Sequence, residues 1–124
     1  MPESSYPQKY LEGIVAFNSG QYFECHEFLE SLWLEVGGTQ GLFYQALIQI
    51  AVAIYHLEGE NLFGAISLCD AGLAKLSKIP DTYMGLNVRS FEEKIAQFFK
   101  PYRLLSKGDL IQIDRNIIPK IQLS

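Results

Sequence analysis

The stretch from Leu42 to Leu57 reads Leu-Phe-Tyr-Gln-Ala-Leu-Ile-Gln-Ile-Ala-Val-Ala-Ile-Tyr-His-Leu and holds no acid, lysine or arginine. At about 100° per residue, Gln45, Gln49, Val52 and His56 project within about 60° of one another on a helix. Every other side chain around that helix is apolar or tyrosine. A helix that is oily all round belongs in the middle of a small protein, wrapped by its neighbours. Its amides and imidazole then need partners, because each one left unsatisfied costs about 1–3 kcal/mol. The expectation is a polar seam through the centre of the fold, and that seam is the candidate site.

With 124 residues, 48% hydrophobic and 13% aromatic, the chain is long enough for one buried core and too apolar for disorder. Its net charge is −4 and its ten Lys and Arg are scattered. That argues against nucleic acid as a partner, since phosphate binding needs a basic face. The opening Met-Pro-Glu-Ser-Ser-Tyr-Pro-Gln-Lys-Tyr has no apolar run of the kind a secretory signal requires. The buried stretch is short and amide-bearing for a membrane span. Cys25 and Cys69 fall mid-helix and read as reduced, packed thiols. A cytoplasmic protein without a membrane segment is expected.

Helical periodicity runs through most of the chain, and no convincing alternating strand appears. Ser5-Tyr-Pro-Gln8 reads as a capping box opening a first helix to Asn18, which Ser19-Gly20 breaks. A second helix spans Gln21 to Val36 and stops at Gly37-Gly38. Thr39 is placed to cap the uncharged third helix, which ends near Glu58-Gly59. Asn61 caps a fourth helix that ends before Pro80, and residues 80–87 form a loop. Ser90-Phe-Glu-Glu93 reads as a second capping box for a helix to Lys100. Beyond Pro101, Asp109 to Ile118 reads as a short helix, whereas Ile117-Ile-Pro-Lys-Ile121 reads as extended across the bundle. A faint echo recurs at an offset of 40: Gly20-Gln-Tyr-Phe-Glu-Cys25 parallels Glu60-Asn-Leu-Phe-Gly-Ala65, and Trp33 falls opposite Leu73. Repeated helical hairpins, as in tetratricopeptide-like arrays, produce such an echo. The expected fold is all-α, a single domain over residues 1–124. It is a bundle of five to six helices, built as antiparallel hairpins around a buried central helix.

On the second helix Tyr22, Cys25, Leu29, Leu32, Trp33 and Val36 form the core stripe. His26 borders it beside Glu30, with Glu27 further round. Glu24 and Glu35 point to water. His26 and Glu30 are four apart, so their side chains can meet. If the second and third helices are antiparallel neighbours, Glu30 and Trp33 face Gln45, and Tyr22 and His26 face Val52 and His56.

Phe17-Asn-Ser-Gly-Gln-Tyr-Phe-Glu-Cys-His-Glu-Phe-Leu-Glu-Ser-Leu-Trp33, Tyr44-Gln-Ala-Leu-Ile-Gln-Ile-Ala-Val-Ala-Ile-Tyr-His56 and Gly59-Glu-Asn-Leu-Phe-Gly-Ala65 together resemble the signature of the domain of unknown function 309 family. The resemblance covers about residues 10–78 and leaves about 101–124 as a C-terminal extension. Matching positions are Asn18, Gly20, Glu24, His26, Glu27, Glu30, Trp33, Gln45, Gln49, His56, Asn61 and Gly64. The resemblance implies a small all-helical bundle from bacteria, archaea or plastids, with no established activity. Members of this family often carry an arginine just before the Gln45 helix. Here the chain has Thr39-Gln40-Gly41, so an ion pair from that arginine to the second helix is lacking.

Three chemistries fit the seam residues His26, Glu27, Glu30, Gln45, Gln49 and His56. The first is a metal site, because His26-Glu27-x-x-Glu30 is close to the zincin H-E-x-x-H spacing. With His56 it supplies a two-histidine, one-carboxylate set for zinc, iron or manganese, and Glu27 is the catalytic base if the protein is a metal-dependent hydrolase. The second is a structural network in which His26, Glu30, Gln45, Gln49 and His56 satisfy one another. The third is a face that binds a protein or small molecule, joined by Tyr22, Tyr44 and Tyr55. Trp33 reads as a core anchor. No G-x-S-x-G elbow or phosphate loop occurs. The favoured reading is a non-catalytic binding or scaffold protein that self-associates, with a homo-oligomer as one expected partner state.

Overall fold

A computed structural model describes residues 6–124. Among these residues the chain forms five α-helices: α1 (Gln8–Asn18), α2 (Tyr22–Trp33), α3 (Gly38–Glu58), α4 (Leu62–Leu76) and α5 (Val88–Phe99). A two-stranded hairpin, β1 (Thr82–Tyr83) and β2 (Leu86–Asn87), separates the last two helices. The capping box expected over Ser5-Tyr-Pro-Gln8 does not open α1: the helix begins at Gln8 with Pro7 at its cap position and no side-chain cap bond, and Ser5 itself lies outside the described residues.

α3 is the central element, as its uncharged sequence requires. Phe43, Tyr44, Leu47, Ile50, Ile54 and Leu57 are completely buried. α2 packs on one side of it and α4 on the other, with α1 against α2. Short links between consecutive packed helices force the chain to double back, giving antiparallel hairpins. Two glycines permit close approach. A Cβ on Gly72 would lie 2.7 Å from Ile50 Cγ1, and one on Gly13 would lie 3.0 Å from Leu29 Cδ2.

The echo at offset 40 is real in backbone geometry. Gly20 and Glu60 both have positive φ, +78° and +62°. Gln21 N–H donates to Ala16 O at 2.8 Å, and Asn61 N–H donates to His56 O at 2.8 Å. Gly20 N–H donates to Phe17 O and Glu60 N–H to Leu57 O, both at 3.1 Å. These are two copies of the Schellman ending, in which a left-handed residue lets the chain turn back and satisfy orphan carbonyls.

The boundaries of α2, α3 and α5 also depart from expectation. α2 ends at Trp33 rather than Val36, because the chain must already turn to bring Gly41 against the Val36 carbonyl. α3 therefore starts at Gly38, capped by Gly37 without a side-chain bond, and Thr39 is inside the helix rather than its cap. α5 starts at Val88, three residues before its expected opening at Phe91. Its cap is Asn87, whose Oδ1 accepts from Ser90 N–H at 3.1 Å, and not Ser90. The Asn61 cap forms as expected, accepting from Gly64 N–H at 3.0 Å.

The loop expected at 80–87 contains the hairpin. Met84 and Gly85 both have positive φ, +47° and +82°, as the tight two-residue primed turn requires. Strands of two residues are too short to show alternation, so the sequence offered no strand signal. Tyr10 Oη donates to Met84 O at 3.0 Å and ties the hairpin to α1.

No helix spans Asp109 to Ile118; a single 3-10 turn at Arg115–Ile117 stands there. The extended course expected for Ile117 to Ile121 holds only from Ile118, since Ile117 closes the 3-10 turn. Ile118 and Ile121 are buried in the common core. Periodicity in a short isoleucine-rich run cannot separate a helix from a strap held by its neighbours.

Candidate functional site

The seam stands at the margin of the core, not at its centre. Among the described residues no polar or charged residue is fully buried. Gln45, Gln49, His56, His26 and Glu30 are all half-buried, and Glu27 is exposed. The reason is packing: α3 turns its aliphatic and aromatic side chains to α2 and α4 and leaves the amide stripe along their edge.

α2 and α3 meet as the antiparallel reading predicts, start of one beside end of the other. The Phe23 and Tyr55 rings are 5.7 Å apart. Phe23 also lies 5.4 Å from the His26 ring, and Tyr55 lies 6.3 Å from His56. The result is an aromatic row from His26 across Phe23 and Tyr55 to His56. Phe23 and Tyr55 are 46% and 47% exposed, large figures for side chains of this kind on a packed helix pair. Of the three tyrosines expected on a binding face, Tyr55 stands on this edge, whereas Tyr22 and Tyr44 are buried in the core. Phe23 was missed, although its place two residues past the Gln21 helix start was the available signal.

His26 Nε2 lies 3.1 Å from Glu30 Oε2, the contact expected from their spacing. The imidazole side chain is 24% exposed and the carboxylate 47%. The other ring nitrogen, His26 Nδ1, is shielded from water and has no hydrogen-bond partner. Gln49 Oε1 on α3 is in the same condition. His56 turns the other way, its Nδ1 at 3.5 Å from Asn61 Nδ2. The five-residue network is therefore not assembled: of its expected links, the His26–Glu30 contact alone is formed among the described residues.

Nor are the proposed metal ligands gathered. His26 and Glu30 are together, but His56 is engaged at the α3–α4 turn. Among the described residues no three His, Cys, Asp or Glu side chains form a group able to hold a metal ion. Cys25 and Cys69 are free and buried. Burial pushes the Cys25 thiol up to about 12. Burial likewise raises Cys69 to about 11, against the lowering influence of Arg103. Both thiols are protonated and unreactive near neutral pH. Trp33 is half-buried against the core, as an anchor should be. Gln40 Nε2 donates to Tyr44 Oη at 2.9 Å.

Residues 10–68 match the model of the family described as Domain of unknown function (DUF309). Those residues carry the DUF309 pattern. The matched segment takes in α1, α2, α3 and the first half of α4, and thus every seam residue; it ends ten residues short of the boundary at 78 read from the motifs. An uncharacterized protein of Bacillus subtilis (strain 168), YpuF, is 40% identical over 62 residues, which is 48% of this chain and 36% of that protein. An uncharacterized protein of Aquifex aeolicus (strain VF5) is 26% identical over 95 residues, 68% of this chain and 26% of that protein. The chain thus spans about a third of the length of these relatives or less. Neither relative nor the DUF309 description names an activity. No helix among the described residues is long and apolar enough to cross a membrane.

Proposed function

We propose that this chain is a non-catalytic binding or scaffold module of the cytoplasm, and that the α2–α3 edge is its recognition face. The observation that carries this reading is the pair of exposed rings, Phe23 and Tyr55, set 5.7 Å apart across the two helices. His26, 5.4 Å from the Phe23 ring, and its neighbour Glu30 supply polar groups at the same edge. Aromatic side chains next to a few such groups are the usual anchors of a protein interface. The partner is a protein segment, and a second copy of this chain is one candidate.

A photo-crosslinking residue placed at position 23 or 55 of the full chain in living cells tests this. One discrete adduct common to both positions is expected, of twice the chain mass if the partner is a second copy. Phe23→Ser and Tyr55→Ser should then weaken binding of the purified partner at least about ten-fold at unchanged melting temperature. Leu104→Ser, away from this edge, should leave it unchanged. Absence of a common adduct, or affinity indifferent to both substitutions, overturns the reading.

The metal alternative built on His26, Glu30 and His56 has less support, since the three are not gathered. Near-stoichiometric zinc, iron or manganese in untagged protein purified without chelators, lost in His26→Ala, would put a metal site in place of the binding face.

A further inference from the structure

The C-terminal segment is seated in a groove between the end of α1 and the hairpin, and three fastenings hold it there. Asn18 Nδ2 donates to the Ile121 carbonyl at 2.8 Å, while Asn18 Oδ1 accepts from Ile121 N–H at 2.7 Å. Arg115 Nη2 stands 2.6 Å from Glu58 Oε2, an ion pair between the tail and the end of α3. Leu123 pairs antiparallel with Leu86, and Ser124 N–H donates to Gly85 O at 2.9 Å. Ile118 and Ile121 are buried, whereas Lys120 and Gln122 between and beyond them are exposed.

These are the devices by which folded domains read foreign peptides: a carboxamide that hooks the backbone of one residue, an edge strand that is extended by another, and sockets for alternate apolar side chains. Backbone hydrogen bonds make no demand on residue type. The side-chain demand is for aliphatic groups at the positions of Ile118, Ile121 and Leu123. The lead into this segment is irregular. It carries no regular helix or strand between Leu105 and Asp114. A cleft of about 510 Å³, lined by Lys94, Phe98 and Pro119 among others, separates it from α5.

We infer that this groove is an extended-peptide recognition site with the chain's own tail as resident occupant, and that a partner segment with the same aliphatic spacing takes its place when the tail is released. Tethering gives the tail an effective concentration of order millimolar. The partner's apparent affinity is therefore reduced by the fraction of molecules in which the tail is open. The site is closed at rest, which makes the tail a latch. The groove that takes Ile121 and Leu123 is built by Asn18, Gly85 and Leu86 and not by Phe23 or Tyr55, so its fate is independent of the reading given above.

The test uses the full chain with Ile118→Asp and Ile121→Asp, which removes the apolar hold of the tail. The probe is a fluorescein-labelled peptide of residues 112–124 with the unaltered sequence. Saturable binding is expected, at least about ten-fold tighter than to the unaltered chain. It should be lost when Asn18→Ala is added, and lost for a probe carrying the same two aspartates. No saturable binding to a variant with intact far-UV helix signal overturns the proposal. Should that variant unfold, amide hydrogen exchange on the unaltered chain decides. Ile121 and Ser124 should exchange at least about ten-fold faster than the amides of α3. Equal protection would mean that the tail opens only with the whole fold, and would likewise overturn the proposal.

Discussion

Gly20 and Glu60 occupy the same left-handed corner of two copies of one turn. One pays nothing for that conformation, and the other pays for its side chain. A left-handed backbone costs a non-glycine residue about 1–2 kcal/mol, and glycine gives back part of that as chain entropy. Glu60→Gly is expected to stabilise the fold by about 0.5–1 kcal/mol. Gly20→Ala should cost about 1–2 kcal/mol. Urea midpoints at constant m-value measure both. If the two changes moved the midpoint in the same direction, the turns would not be equivalent.

At Gly72 α4 lies close against α3. An added Cβ would stand 2.7 Å from Ile50 Cγ1 and 3.1 Å from the Ala46 carbonyl oxygen. Overpacking of this kind costs about 1–3 kcal/mol. Gly72→Ala should therefore destabilise although it favours helix, and Ile50→Ala should offset part of that loss in the double variant. A double-mutant cycle by denaturation reads the coupling; strict additivity would remove the steric explanation.

Arg89 closes the end of α4 from outside the helix. Its Nη2 donates to Leu76 O at 2.7 Å and to Ile79 O at 2.6 Å, and its Nε forms an ion pair with Glu92 at 2.9 Å. Removing a charged donor that satisfies two carbonyls should cost about 2–3 kcal/mol. Arg89→Lys should recover little of the loss suffered by Arg89→Met, since one ammonium cannot reproduce the fork. Full rescue by lysine would show that charge, not geometry, holds this corner.

Alkaline pH should unfold the chain through its buried acids. Tyr22 is pushed up to about 12, first by burial and then by Glu58. Cys25 rises to about 12 and Cys69 to about 11, both chiefly by burial. The unfolded thiols ionise around their ordinary value of 9.0 while the folded ones keep their protons. Their contribution is thus complete below about pH 9 and is lost as pH rises from there towards about 12. Each such group steepens the decline by about 1.4 kcal/mol per pH unit. Thermal melts from about pH 8 to about pH 11 should fall, and Cys25→Ala with Cys69→Ala should flatten the fall. An unchanged slope would mean that both thiols ionise as freely folded as unfolded.

Much of the fold was legible because burial leaves a trace in composition. A long uncharged run had to be the central helix, and α3 is. The Gly20 and Asn61 punctuation located two turns, and the offset of 40 between them proved to be a repeated backbone motif. The His26–Glu30 contact followed from helical spacing alone. What failed was the depth of the seam. A helical wheel gives the direction in which Gln45, Gln49 and His56 project, but not how far a neighbouring helix overlaps that direction.

The chain's own sequence therefore determined the helices, their order, the identity of the buried one and which polar groups share its edge, since these depend on local periodicity and turn chemistry. Tertiary structure alone decided that His56 turns away from His26, that Met84 and Gly85 make a hairpin, and that Asn18 holds Ile121 across 103 positions. Such contacts join residues whose meeting depends on how all the helices pack, and no local pattern encodes that geometry.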